Sequence, residues 1–220
     1  MSRQARAIAT RGKIIDAAVV LFDEVGYTSI GLGDIIERAD ITKGALYYHF
    51  DSKEALAEAI IEEATHRVMA AFDDVTASST PTLENMIHGS FVVLSLVAKD
   101  RVARIGRQLA RALGQYSDAG AGTYQQWAQV VVTQARKAKE EGDLRPNLDA
   151  DTVGETIVAV LLGAEQLSSA ITKGQDMMTR LIWAWDVLLP GIVEDESLPY
   201  FREFLARESV RHTQPELSFD

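Results

Sequence analysis

Apolar residues recur every three or four positions along most of this chain, and nowhere do they alternate with polar ones over the length of a strand. In "RAIATRGKIIDAAVVLFDEVG" (5–25), Ile8, Ile14, Ala18, Leu21 and Val25 mark one face of a helix, and Gly26 stops it. A helix of about two turns follows at 32–39, "DI" breaks it, and "TKGALYYH" restarts it. Asp51-Ser52 is an N-cap signal for a helix over 53–74. Beyond the loop "TASSTPT" (76–82), helices are expected at 82–98, 101–116, 121–141, 150–171, 175–189 and 197–211. The breaks between them are Lys99-Asp100, "SDAGAG", "GDLRPNLD", "TKG" and "PGIVEDESLP". The expected fold class is all-α, with residues 1–55 as one domain and 56–220 as a second.

Two of these helices are apolar on more than one side. Val153, Ile157, Val160, Leu161 and Ala164 line one face of 150–171, and Val158 and Leu162 widen it. Leu181, Trp185 and Leu188 do the same for 175–189, joined by Ile182 and Leu189. A helix apolar nearly all round is covered on both sides, so this pair is expected to build a four-helix homodimer interface.

Residues 32–50, "LGDIIERADITKGALYYHF", read as a helix-turn-helix. Ile35, Ile36, Ala39, Ile41, Leu46 and Phe50 suffice to fix its two helices to each other and to the first helix. The other face of the second helix is left wet. Thr42 and the helix start suit a phosphate, Lys43 supplies charge, and Gly44 and Ala45 let the backbone approach a groove floor. Tyr47, Tyr48 and His49 offer donors to phosphate oxygens, and Lys53 adds a charge at the same edge. The competing reading makes the two tyrosines and the histidine half-buried members of a small three-helix core.

The net charge of −10 argues against general nucleic-acid binding, but the charge is uneven. Residues 1–55 hold seven Lys/Arg against eight Asp/Glu, and the first 15 residues carry Arg3, Arg6, Arg11 and Lys13 with no acid. A near-neutral head with a basic tip can dock on phosphates, and Arg3 and Arg6 join the candidate DNA contacts. There is no cysteine, which excludes disulfides and thiolate chemistry. The N-terminus lacks the apolar core of a secretory signal, and the longest apolar runs, "FVVLSLVA" and "IVAVLLGA", are too short to span a bilayer. A cytoplasmic protein with no membrane partner is expected.

In the second domain, Tyr124, Trp127 and Val131 share one face of a helix and would form a wall for a small, partly apolar ligand. Phe91 and Leu94 are further wall candidates, and Gln108 and Gln166 are candidate polar contacts. Arg101, Arg104, Arg107 and Arg111 form a stripe that reads as a solvated face paired with acids, the competing reading being an anion site for a ligand carboxylate or acyl-phosphate. As single residues, Trp127 reads as a core filler and Gln166 equally as an interface residue.

No catalytic constellation is present. There is no G-x-S-x-G and no P-loop, and Gly31-Leu32-Gly33 lacks the strand that a dinucleotide turn needs. No pair among His49, His66, His88 and His212 has metal-ligand spacing on one helix. "EEATH" (62–66) supplies one Glu-x-x-His unit where a di-metal bundle needs two. No enzyme, cofactor or metal site is expected.

Residues 11–58 resemble the DNA-binding domain of the TetR family of transcriptional repressors, through "IIDAAVVLFDEVGY", "DIIERADI" and above all "TKGALYYHFDSKEAL". The resemblance implies three N-terminal helices for DNA and a larger C-terminal domain that dimerises and binds a ligand. It implies a repressor held on a palindromic operator and released by a small effector. "RQARAIATRGKIIDAA", "TKGALYYHFDSKEALAEAII" and "YQQW" are similar to the γ-butyrolactone receptor branch, whose lactone or furan effectors meet a tryptophan that would correspond to Trp127. Two positions depart from the family pattern. Ile30-Gly31 stands where a Thr/Ser pair usually caps the helix and touches phosphate, which would move that contact to Thr28 or Ser29. Asp40 stands where the turn usually has glycine. Ile30-Gly31 motivates an alternative, a helical small-molecule-binding dimer with a weakened DNA head.

Overall fold

Every regular element among the described residues is helical; the computed structural model describes residues 3–78, 81–114 and 118–213. In chain order the helices are α1 (Arg3–Glu24), a 3-10 turn (Tyr27–Ser29), α2 (Leu32–Ala39), α3 (Lys43–His49), α4 (Lys53–Thr76), α5 (Thr82–Lys99), α6 (Arg101–Leu113), α7 (Asp118–Glu141), α8 (Ala150–Thr172), α9 (Met177–Ile192) and α10 (Leu198–Thr213). They group into two compact units, residues 1–68 with 97–124, and residues 69–96 with 125–220.

The first unit is built on α1. Ile14 and Ala18 are fully buried, with Ile35 of α2, Leu46 of α3 and Leu56 and Ile60 of α4 around them. The face expected for α1 is shorter than its periodicity: Ile8 and Val25 are exposed, because the core stops at Ile14 on one side and Phe22 on the other. Helix α6 joins this core through Val102, Ile105 and Leu109. It lies very close to α4, since a Cβ at Gly106 would fall 2.2 Å from Ala64 Cβ and 2.9 Å from the Ile60 carbonyl oxygen. Arg101 and Arg104 reach Asp23 of α1 at 3.3 and 3.1 Å, so part of the arginine stripe pairs with an acid on the neighbouring helix. Asp100 caps α6 by accepting the Ala103 N–H at 2.8 Å, and also pairs with Arg67 at 2.8 Å.

The break expected at 117–122 is narrower in the structure, because α7 already runs from Asp118 through Gly120 and Gly122. The glycines serve packing here. A Cβ at Gly120 would come within 2.7 Å of Gly114 Cα, so the start of α7 rests on the end of α6 backbone to backbone.

The second unit surrounds Trp185, which is fully buried and donates its indole N–H to Ser90 at 2.9 Å. Phe72 lies against α5 at Gly89, where a Cβ would meet its ring at 2.6 Å. Helix α8 ends at Lys173 (φ 55°) and Gly174 (φ 86°), both left-handed. Asp176 ties that end to α9 by accepting from Ser168, Thr172 and Arg180. Pro190, expected as a break, sits inside the last turn of α9, where its carbonyl accepts from Arg145 at 3.2 Å. No helix among the described residues is long and apolar enough to cross a membrane.

Candidate functional site

The helix-turn-helix is fixed by local chemistry. Asp40 caps the end of α2 in the left-handed conformation (φ 51°, ψ 57°), which Asp tolerates better than most residues. Its N–H bonds back to the last carbonyls of α2, and Ile41 N–H reaches the Ile36 carbonyl. Thr42 then starts α3 by accepting the Ala45 N–H at 3.2 Å. Leu46 points inward and Phe50 closes the core behind it, with the Arg11 guanidinium over its ring at 5.4 Å.

The outward face of α3 carries the expected groups. Thr42, Lys43, Gly44, Tyr47 and Tyr48 are exposed, and Ala45 and His49 are half-buried. Tyr48 is 71% exposed, so it is no member of the core. Lys43 Nζ lies 5.7 Å above the Tyr47 ring, and Tyr48 meets His49 edge to face at 4.9 Å. A side chain at Gly44 would meet nothing within 4 Å, leaving the helix backbone open to approach from outside. Thr28 and Ser29 are exposed on the 3-10 turn just before α2, and Arg6 is exposed on α1. The side chain of Arg3 lies outside the described residues.

The two departures from the family pattern have physical replacements. Ile30 is a core residue, 6% exposed, and so does not act as a cap. The first turn of α2 is capped instead by Asp34, whose carboxylate accepts the Gly31 N–H. Lys53 is placed differently from the reading that gave it to phosphate. Its ammonium donates to the carbonyls of Tyr27 (3.0 Å) and Ile30 (2.9 Å) and sits 4.3 Å over the Tyr27 ring. It fastens the 3-10 turn to α4 and thereby sets the start of α2.

The candidate effector residues are divided. Trp127 and Val131 of α7, and Phe91 and Leu94 of α5, belong to the second unit. Trp127 is 7% exposed and meets Phe72 edge to face at 5.1 Å. Phe72 is thus the aromatic partner that sequence reading missed; its place within α4 was legible, its neighbour was not. Phe91 is fully buried and stacks on His212 at 5.4 Å. Gln166 is exposed on α8. Gln108 and Tyr124 belong to the first unit, exposed and half-buried respectively. A cavity of about 560 Å³ in the second unit is lined by Glu84, Asn85, His88, Arg207, Glu208 and Arg211 among others, and by none of the candidate effector residues. Burial raises the carboxyl of Glu84 above its usual range, and Asp143 and Glu208 add to the effect.

Helices α8 and α9 pack on each other. They leave Leu167, Ile171, Trp183 and Val187 exposed, the last at 78%. Of the two tryptophans on α9, Trp185 is core and Trp183 is surface.

The tetR-family model of bacterial regulatory proteins matches residues 14–60, and a tetracyclin repressor-like C-terminal domain matches residues 80–194. The A-factor receptor protein of Streptomyces griseus is 31% identical over 192 residues, covering 87% of this chain and 67% of that protein. A crystal structure of a γ-butyrolactone receptor (ArpA-like protein) is 30% identical, with a TM-score of 0.77 over 94% of this chain and 99% of that one. CprB of Streptomyces coelicolor, solved in complex with its biological operator sequence, is 30% identical with a TM-score of 0.73, again over 94% and 99%. The outward face of α3, its capped start and these matches over both halves of the sequence lead to one assignment: the chain belongs to the tetR family of bacterial regulatory proteins.

Proposed function

We propose that this protein is a ligand-responsive transcriptional repressor that binds a palindromic operator as a homodimer and leaves it when a small, partly apolar effector binds. The observation that carries this reading is α3: a short helix with one buried anchor, Leu46, and an exposed face of Thr42, Lys43, Gly44, Tyr47 and Tyr48. In a dimer, two such helices meet successive major-groove faces about one helical turn apart. As a regulatory protein of this family, the chain is not an enzyme. Its place of action is the cytoplasm, where the operator is.

The division of labour is DNA binding for residues 1–55 and effector binding and dimerisation for 56–220, although in packing residues 97–124 lie with the head. The exposed apolar residues of α8 and α9 support a dimer interface there, since Leu167, Ile171, Trp183 and Val187 are large and uncovered. The likeness to receptors named for A-factor and γ-butyrolactone supports an effector of lactone or furan type, with Trp127 and Val131 on its wall. Release then follows from an effector that binds the DNA-free state more tightly than the DNA-bound state. The alternative, a dimer with a weakened DNA head, loses its motive because Asp34 caps α2 where the Thr/Ser pair is missing and Thr28 and Ser29 stand exposed for the phosphate contact.

The test is a mobility-shift titration against DNA from immediately upstream of the coding region, with and without a small-molecule extract of the host culture. A sequence-specific shift that the extract abolishes is expected. Binding with no sequence preference would overturn the repressor reading.

A further inference from the structure

We propose that His88, Glu208 and His212 form a binding site for a divalent transition-metal ion of the zinc type, joining α5 to α10. The three side chains bring their ligand atoms within 4.8 Å of one another. Two imidazoles and one carboxylate are the donor set that borderline ions such as Zn²⁺ select over Mg²⁺ or Ca²⁺. Glu208 and His212 stand one turn apart on α10, and His88 faces them from α5.

The surroundings are those of a held site. His212 Nδ1 lies 3.1 Å from Ser95 Oγ, and Phe91 stacks on the ring, so the imidazole is fixed with Nε2 turned to the cluster. That Nε2 is buried without a hydrogen-bond partner and lies 3.5 Å from Glu208 Oε2. A second hydrogen bond that orients a ligating imidazole is the usual outer partner of a metal-bound histidine. Glu208 is 1% exposed, and Arg211 holds its other oxygen at 2.7 Å.

The donor atoms, which lie within 4.8 Å of one another, must shift to close on an ion. Metal bonds of about 2.0–2.1 Å at tetrahedral angles set donor atoms roughly 3.3 Å apart. The spacing of His212 to Glu208 already meets this. His88 Nδ1 sits 2.5 Å from Glu208 Oε2, a hydrogen bond. The ion would take the place of the shared proton, and the two groups would part by about 1 Å. The cavity of about 560 Å³ beside His88 and Glu208 gives a water access to the fourth position. Arg207 and Arg211 oppose the ion's charge from the cavity wall, and Asp74 and Glu84 on the same wall offset them.

The experiment uses the full chain, stripped with chelator and titrated with Zn²⁺ by calorimetry, with Co²⁺ absorption as a second readout. One Zn²⁺ per chain, visible Co²⁺ bands of four- or five-coordinate geometry, and no response to Mg²⁺ are expected. His88→Gln and His212→Gln should each weaken Zn²⁺ binding by at least tenfold, and Ser95→Ala by about tenfold through loss of the outer partner. Melting curves in chelator identify a variant that fails to fold, and the Co²⁺ spectrum of the unmutated chain then decides. No stoichiometric Zn²⁺, or an affinity in both histidine variants unchanged from that of the unmutated chain, would overturn the site and leave the three groups as a hydrogen-bonded cluster.

Discussion

The carboxylate of Asp34 accepts a 2.8 Å hydrogen bond from the backbone N–H of Gly31, so α2 is capped from within its own first turn. Gly31 itself is extended (φ −102°, ψ 169°), a conformation open to any residue. Asp34→Ala should cost about 1 kcal/mol of stability in a urea titration. Gly31→Ser should raise stability by a few tenths of a kcal/mol, since a Cβ there sits 3.6 Å from Asp34 Oδ2, an ordinary contact, and the hydroxyl adds a second cap. A drop for Gly31→Ser would mean that the added hydroxyl disturbs the Asp34 bond.

Two lysines near the head should separate cleanly. Lys43 is exposed and Lys53 is committed to the Tyr27 and Ile30 carbonyls. Lys43→Ala should leave the melting temperature unchanged and lower the slope of log K against log salt by about 1. Lys53→Met should cost about 1–3 kcal/mol of stability, because two carbonyls lose their donor. An unaltered salt slope for Lys43→Ala, read by fluorescence anisotropy on operator DNA, would move the DNA face elsewhere.

Trp127 is buried against Phe72, and its removal to alanine would cost about 3–5 kcal/mol. Phenylalanine keeps most of the volume and deletes the indole N–H. Trp127→Phe should bind operator as before, while the effector concentration for half-release rises about tenfold, equivalent to one lost contact of 1.4 kcal/mol. Release at the original concentration would remove the indole N–H from effector recognition.

Asp100 links pH to the stability of the first unit. Burial pushes its carboxyl upward, but the Ala103 N–H and the Arg67 guanidinium outweigh that and hold it below its ordinary value of 3.8. A group lowered in the folded state contributes above its unfolded value and loses that contribution as pH falls through the folded one. Asp100→Ala should therefore cost about 1–2 kcal/mol at pH 7. The gap to the unmutated chain should narrow at pH 3, measured by urea denaturation at both values.

Local features were legible in the sequence. The helix-turn-helix could be read from positions 32–50 because its turn, cap and anchor lie within a few residues of one another. The burial of Trp127 and Val131 followed from their shared helix face. What escaped depended on distant neighbours. The glycines of "SDAGAG" resemble a loop, and only the approach of Gly120 to Gly114 reveals them as packing residues. The role of Lys53 is set by carbonyls 23 and 26 positions away. His88 and Glu208 are separated by 120 positions, and a search for histidine pairs on one helix could not join them.

Gly106 leaves no side-chain cushion between α6 and α4, because even a methyl group would collide with Ala64 and the Ile60 carbonyl. Helices in contact at that range cannot slide past one another without a clash, since close-packed interiors transmit displacement rather than absorb it. Helix α6 is therefore geared to the first half of α4. Residues 101–113 thus meet the helix that begins at Lys53 without slack, and Lys53 in turn holds the turn that precedes α2.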